Sequence, residues 1–242
     1  MYINYVGYKE NNMLFKRAKS YKDINPALDE NKLILLTKKL LPDIVFNMAS
    51  LEGNPFTYPE VQTLLEGITI GGHKLSDEQQ VLRIKDGWNF VFQKISANEI
   101  KISKELFNSV NGIVAKDEAL ISGEFRVGQV RIGGTDFMPP KAEELDNIFE
   151  KELKILMERC ESNVDLAFDI FLWGALNQFY YDGNKRTSRL ISNLVLISSG
   201  QGVLNVKAKD RLEFNTLMVD FYNNQDGDNI YEFFYNKCLE RY

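Results

Sequence analysis

The chain is poor in the residues that build metal and disulfide sites. It has one histidine, His73, and two cysteines, Cys160 and Cys238, in 242 residues. Two thiols so far apart in sequence make neither a disulfide framework nor a zinc motif, so both are read as reduced, buried thiols of a cytoplasmic protein. A lone histidine in a Gly-Gly-His-Lys connector offers no paired metal ligands and is read as a surface loop residue. No run of apolar residues is long enough to span a bilayer; the longest, around Leu190 to Ile197, is far too short. The opening MYINYVGYKENN lacks the basic and apolar regions of a secretory signal. Surplus positive charge is missing too: the net charge of -5 excludes a general nucleic-acid binder, whose affinity comes from excess Lys and Arg. Neither a G-x-x-x-x-G-K-S/T loop nor a G-x-S-x-G elbow is present.

What remains is a globular composition. Hydrophobic residues at 44% and charged residues at 26% fit neither the disordered nor the membrane class. Helical periodicity dominates and strand-like alternation is scarce. A helical run over 28–49 is interrupted by Pro42. Thr57 with Glu60 and Ser76 with Gln79 form capping boxes that predict helices near 58–66 and 77–95. Leu106, Phe107, Val110, Ile113 and Val114 mark another helix. A further one follows Pro140 and runs to about Arg159. Ser162 to Asp165 caps a helix to about Phe179 that is apolar on nearly every side and therefore central. After a short polar island, RLISNLVLISSG resumes as a helix ending at Gly200, and two last helices are expected near 208–223 and 227–240. One segment differs: GEFRVGQVRIGGTDFMPP, residues 123–140, alternates in short pieces, carries four glycines and ends on two prolines, which reads as a small β-hairpin or flap.

The polar island, QFYYDGNKRTSR at 178–189, lies between two apolar helices. Its glycine and the free N–H groups of the second helix form an anion-binding helix start. Asn184 can donate to a phosphate oxygen, Lys185 supplies a point charge, and Arg186 and Arg189 lie three apart on one face. Asp182 suits a magnesium ion bridging a carboxylate to phosphates.

With these residues in hand, the chain resembles the Fic family, helical enzymes that transfer AMP from ATP to protein hydroxyls. The family signature is H-x-F-x-D/E-G-N-G/K-R-x-x-R. Asp182, Gly183, Asn184, Lys185, Arg186 and Arg189 match it without a gap, Tyr180 falls at the phenylalanine and Gln178 at the histidine. The resemblance implies an all-α Fic fold with a small β-hairpin flap, an N-terminal helical region over 1–100 and a Fic core over 101–242. It implies ATP and Mg2+ as cofactors, Gly183 through Arg186 and Arg189 as nucleotide-binding residues, and a target protein docked by strand addition at 125–138.

One class of the family carries S/T-x-x-x-E-G/N ahead of the core, whose glutamate pairs with the second motif arginine. In MASLEGN the glutamate is Glu52, with Met48 at the serine or threonine position, and the resemblance implies an inhibitory Glu52–Arg189 salt bridge. The family histidine is the general base, and glutamine cannot accept a proton near neutral pH, a loss of about 10²- to 10⁴-fold in rate. AMP transfer is thus expected to be weak or absent. Lysine at 185 also occurs in Doc toxins, relatives that phosphorylate a target with the nucleotide reversed, although these usually lack the second arginine. An auto-inhibited, weak AMP-transferase, an inert interaction module and a Doc-like phosphotransferase all stay open, as does the oligomeric state.

Overall fold

The computed structural model describes residues 14–242; the opening segment MYINYVGYKENN lies outside the described residues. Ten α-helices are present among them: α1 (Glu30–Lys39), α2 (Leu41–Leu51), α3 (Tyr58–Leu65), α4 (Leu75–Ser96), α5 (Lys104–Val114), α6 (Leu145–Arg159), α7 (Asn163–Asn177), α8 (Asn184–Ser198), α9 (Arg211–Asn224) and α10 (Asp228–Phe233). Their boundaries follow local chemistry. The expected 28–49 run splits at Leu40, and Pro42 sits in the first turn of α2, where its missing N–H costs no hydrogen bond. Glu60 accepts the Thr57 backbone N–H at 2.7 Å, completing the capping box of α3. The second expected box does not form: α4 starts at Leu75 with Lys74 as its cap, so Ser76 already lies inside the helix.

Helices α7 and α8 form the centre. Only Asn163 and Leu166 of α7, and Lys185 and Ser198 of α8, escape full burial. Gly174 allows their close approach, since a Cβ there would lie 2.0 Å from Ser188 Oγ. Ser162 Oγ accepts the Asp165 N–H at 3.0 Å, and Asp23 accepts from the Asn163 and Val164 N–H groups, so the chain before α1 helps cap α7. Buried side chains of α4, including Trp88 and Phe92, join one core with those of α5, α7 and α8, and that core runs without interruption across residue 100.

Two expectations about strands change. Segment 123–140 contains no paired strands; four glycines and two prolines interrupt its strand-favouring residues, and it runs as an irregular flap. The two-stranded antiparallel sheet of the described residues is elsewhere, pairing β1 (Val203–Leu204) with β2 (Leu239–Glu240). The last helix expected to reach 240 ends at Phe233 and loosens into a π turn over Phe234–Cys238, because residues 239–240 leave to pair with β1. Both cysteines are unpaired; Cys238 is buried, whereas Cys160 is only half-buried. No helix among the described residues is long and apolar enough to cross a membrane.

Candidate phosphate-binding site

The polar island becomes a tight loop between α7 and α8. Gln178 ends α7 in a left-handed conformation (φ 48°, ψ 57°), and Gly183 (φ 75°) repeats that conformation just before α8. Asn184 ties the loop together: its Oδ1 accepts the Tyr180 N–H at 2.9 Å, and its Nδ2 donates to Tyr180 O at 2.8 Å and to Gln178 Oε1 at 3.1 Å. The expectation that Asn184 donates to a phosphate is therefore revised, since its amide hydrogens already have partners within the loop. Gln178 Nε2 donates to Ala175 O at 2.6 Å, so both ends of that side chain are engaged.

Neighbouring elements hold the loop from outside. Asn111 on α5 donates to Asp182 O at 2.9 Å and accepts the Gly123 N–H at 2.9 Å, joining the loop to the start of the flap. Arg126 is buried and joins more: its guanidinium donates to Gln178 O at 2.7 Å, Gly128 O at 2.8 Å and Pro140 O at 2.5 Å. Its backbone N–H also donates to Phe179 O at 2.9 Å.

A cavity of about 500 Å³ opens over the loop. Its walls are Glu52 at the end of α2, Arg131 to Gly133 of the flap, Gln178, Tyr181 to Lys185, and the Asn215, Met218, Val219 and Tyr222 side of α9. The start of α8 thus faces an open space with its unbonded N–H groups and dipole. Six of the eight site residues expected from sequence line this cavity: Glu52, Gln178, Asp182, Gly183, Asn184 and Lys185.

The two arginines do not. Arg186 is buried and donates to Val114 O at 2.7 Å, to both oxygens of Glu118 at 2.7 and 3.0 Å, and to Asp182 Oδ1 at 3.2 Å. Burial works against its charge, but the Glu118, Glu52 and Asp182 carboxylates outweigh that effect and the net shift of its pKa is upward. Arg189 lies between the Phe171 and Phe214 rings, 5.5 Å from each centroid. Its three guanidinium nitrogens are buried without a hydrogen-bond partner among the described residues. Burial pushes its pKa down to about 10 despite attraction from Glu52.

The expected Glu52–Arg189 salt bridge is therefore corrected. Glu52 Oε1 lies 3.8 Å from Lys185 Nζ instead, because the Arg189 side chain is packed among aromatic rings while Lys185 faces the cavity. Met48, the departure from the inhibitory motif, is buried in α2 with its sulfur 3.3 Å from the Trp88 indole nitrogen. His73 lies away from the cavity, stacked on Phe56 and 3.0 Å from Glu60. Nothing in the local sequence of Glu118, Asn111 and Arg126 distinguishes them from ordinary helix and loop residues.

No protein-family model matches the chain. The protein adenylyltransferase Fic of Drosophila willistoni is 24% identical over 187 residues, 70% of this chain and 34% of that protein. The protein of the same name from Aedes aegypti is 21% identical over 215 residues, covering 83% and 41%. The chain thus spans about a third to two fifths of the length of these curated relatives. A Fic-domain-containing signaling protein from Bacteroides thetaiotaomicron superposes with a TM-score of 0.66 at 21% identity, covering 80% of this chain and 75% of that one. Fic-1 from C. elegans gives 0.65 at 19%, covering 82% and 60%. The ten-helix arrangement is that of Fic-domain structures, and the chain is a Fic-fold protein related to protein adenylyltransferases.

Proposed function

We propose that the cavity at the start of α8 binds the phosphates of ATP, and that AMP transfer to a protein hydroxyl is weak or absent. The observation that carries the reading is the gathering of Asp182, Gly183, Lys185 and Glu52 around one cavity into which a helix N-terminus opens. Backbone N–H groups and Lys185 supply what a phosphate needs. Among the described residues, no group of three or more carboxylate, histidine or cysteine side chains could hold a metal unaided. An ion that keeps several ligands from phosphate and water needs only one carboxylate, and Asp182, half-exposed at the cavity wall, fits that role for Mg2+. When bound, such an ion neutralises phosphate charge.

Gln178 is the reason transfer is slow: an amide has no basic nitrogen, and its two ends are held by Ala175 and Asn184. Glu52 restrains the site by facing Lys185, the cation of the cavity wall that α8 supplies. The flap has main-chain groups outside any ladder, which suits docking of a target segment alongside it. The unpaired cysteines fit a reducing compartment, in keeping with a cytoplasmic protein.

Isothermal titration with ATP and magnesium tests the reading. Wild type and Glu52→Gly both bind, the variant more tightly; no binding by either overturns it. With ATP labelled at the α-phosphate, Gln178→His transfers more label to protein than wild type. Lys185 in the cavity favours one second reading, transfer of the γ-phosphate, and label moving from the γ-phosphate alone would establish it instead.

A further inference from the structure

Four charged side chains line the cavity: Glu52, Asp182, Lys185 and Arg131. Three of them have partners. Glu52 and Lys185 face each other at 3.8 Å, and Asp182 is 3.2 Å from Arg186. Arg131 is exposed, and among the described residues it pairs with no carboxylate. Of the two cations on the cavity wall, Arg131 is therefore the one that does not already face a carboxylate among the described residues, and it sits on the flap, not on the helix.

The two motif arginines leave a task for it. Arg186 already donates to Glu118, Asp182 and Val114, and Arg189 is enclosed by Phe171 and Phe214. A polyphosphate entering the cavity would find one lysine at the helix start. Arg131 adds a planar guanidinium, which engages phosphate oxygens in pairs where an ammonium acts as a point charge. Its backbone is well placed to do so. Arg126 pins both ends of the flap to the loop, and Gln129 Nε2 donates across the flap to Pro139 O at 2.9 Å. Arg131 follows that fixed stretch and precedes the Gly133–Gly134 turn, where Gly134 has a φ of 82°.

We propose that Arg131 is a phosphate-binding residue of this cavity, engaging the ligand's phosphate chain from the flap while Lys185 engages it from α8. The assignment rests on the nucleotide reading for its ligand, a nucleoside triphosphate, and on the place of Arg131 in the cavity wall, facing no carboxylate among the described residues, for the residue.

Titrations of wild type, Arg131→Ala, Arg131→Lys and Arg131→Glu with magnesium ATP and with inorganic tripolyphosphate test it, with Lys151→Ala on α6 as a control for lost surface charge. Arg131→Ala weakens both ligands about ten-fold, as expected for one charge-assisted contact. Arg131→Glu weakens them further, Arg131→Lys recovers part of the loss, and the gap narrows as salt is raised. Lys151→Ala binds as wild type does. Equal ATP affinity for wild type and Arg131→Ala overturns the assignment and leaves the nucleotide reading intact. Tripolyphosphate binding that depends on Arg131, without ATP binding, overturns the nucleotide reading and keeps Arg131 as a phosphate ligand. Binding of neither ligand to wild type overturns both.

Discussion

Glu52 faces Lys185 and not Arg189: its Oε1 lies 3.8 Å from the lysine Nζ, while the guanidinium nitrogens of Arg189 have no hydrogen-bond partner among the described residues. Glu52 reaches Arg189 only through space. A pair at this distance on partly exposed side chains contributes little, about 0.2–1 kcal/mol. A double-mutant cycle of Glu52→Gln and Lys185→Met in urea unfolding should give a coupling in that range. A coupling above about 2 kcal/mol would show a far tighter contact than the structure has.

Arg189 is a buried cation without a hydrogen-bonded partner among the described residues, an arrangement that works against stability. Replacing it with an apolar residue of similar length removes the desolvation cost and keeps the contact with Phe171 and Phe214. Arg189→Met should stabilise the fold by about 1–4 kcal/mol in urea unfolding. A loss of stability would mean that the guanidinium has a partner in solution.

The reach of the sequence differs sharply between these elements. Helix α7 is legible because burial on nearly every side leaves a nearly continuous apolar pattern, and Ser162 and Pro42 mark boundaries through strictly local chemistry. The loop was legible as an anion site because Gly183 and the residues after it act locally. The fate of the arginines was not. Spacing places Arg186 and Arg189 on one face, but Glu118 beyond α5 and Phe214 on α9 decide which is paired and which is stranded. The start of α4 misled because S-D-E-Q is as acceptable in a first turn as at a cap. The π turn and β2 depend on pairing with a strand more than thirty residues away, which no local pattern carries.

Gly183 has a positive φ and no room for a side chain. A Cβ there would lie 2.9 Å from Ala115 Cβ and 3.2 Å from Asn111 Nδ2. Gly183→Ala combines backbone strain with a clash and should destabilise the protein by about 1–3 kcal/mol. Thermal unfolding reads the loss; an unchanged midpoint would refute the conformation assigned to the loop.

Glu60 supports the start of α3. The Thr57 backbone N–H, the His73 side chain and the Thr57 hydroxyl hold its pKa down to about 2, from an ordinary value of 4.5. A lowered carboxylate stabilises the fold fully above its unfolded pKa and loses that contribution as pH falls through the folded one. The stability gap between wild type and Glu60→Gln should stay level above about 4.5 and close as pH falls toward about 2. A gap that widens on acidification would reverse the sign.

Arg126→Ala removes donors from three partly buried carbonyls at once. Amide exchange over 123–140 should quicken, and stability should fall by about 2–4 kcal/mol. Unchanged exchange in the flap would show that something else holds it.

The same residue makes the flap and the loop one mechanical piece. Arg126 grips the main chain of Gln178 as firmly as it grips Gly128 and Pro140, so a load on the flap arrives directly at the end of α7. Tilting the flap would turn the carbonyl of Gln178, and resetting that carbonyl would tilt the flap. The tip beyond Gln129, where Arg131 sits, answers to another element as well: Thr135 bonds Asn223 and Phe137 stacks on Tyr222, both on α9.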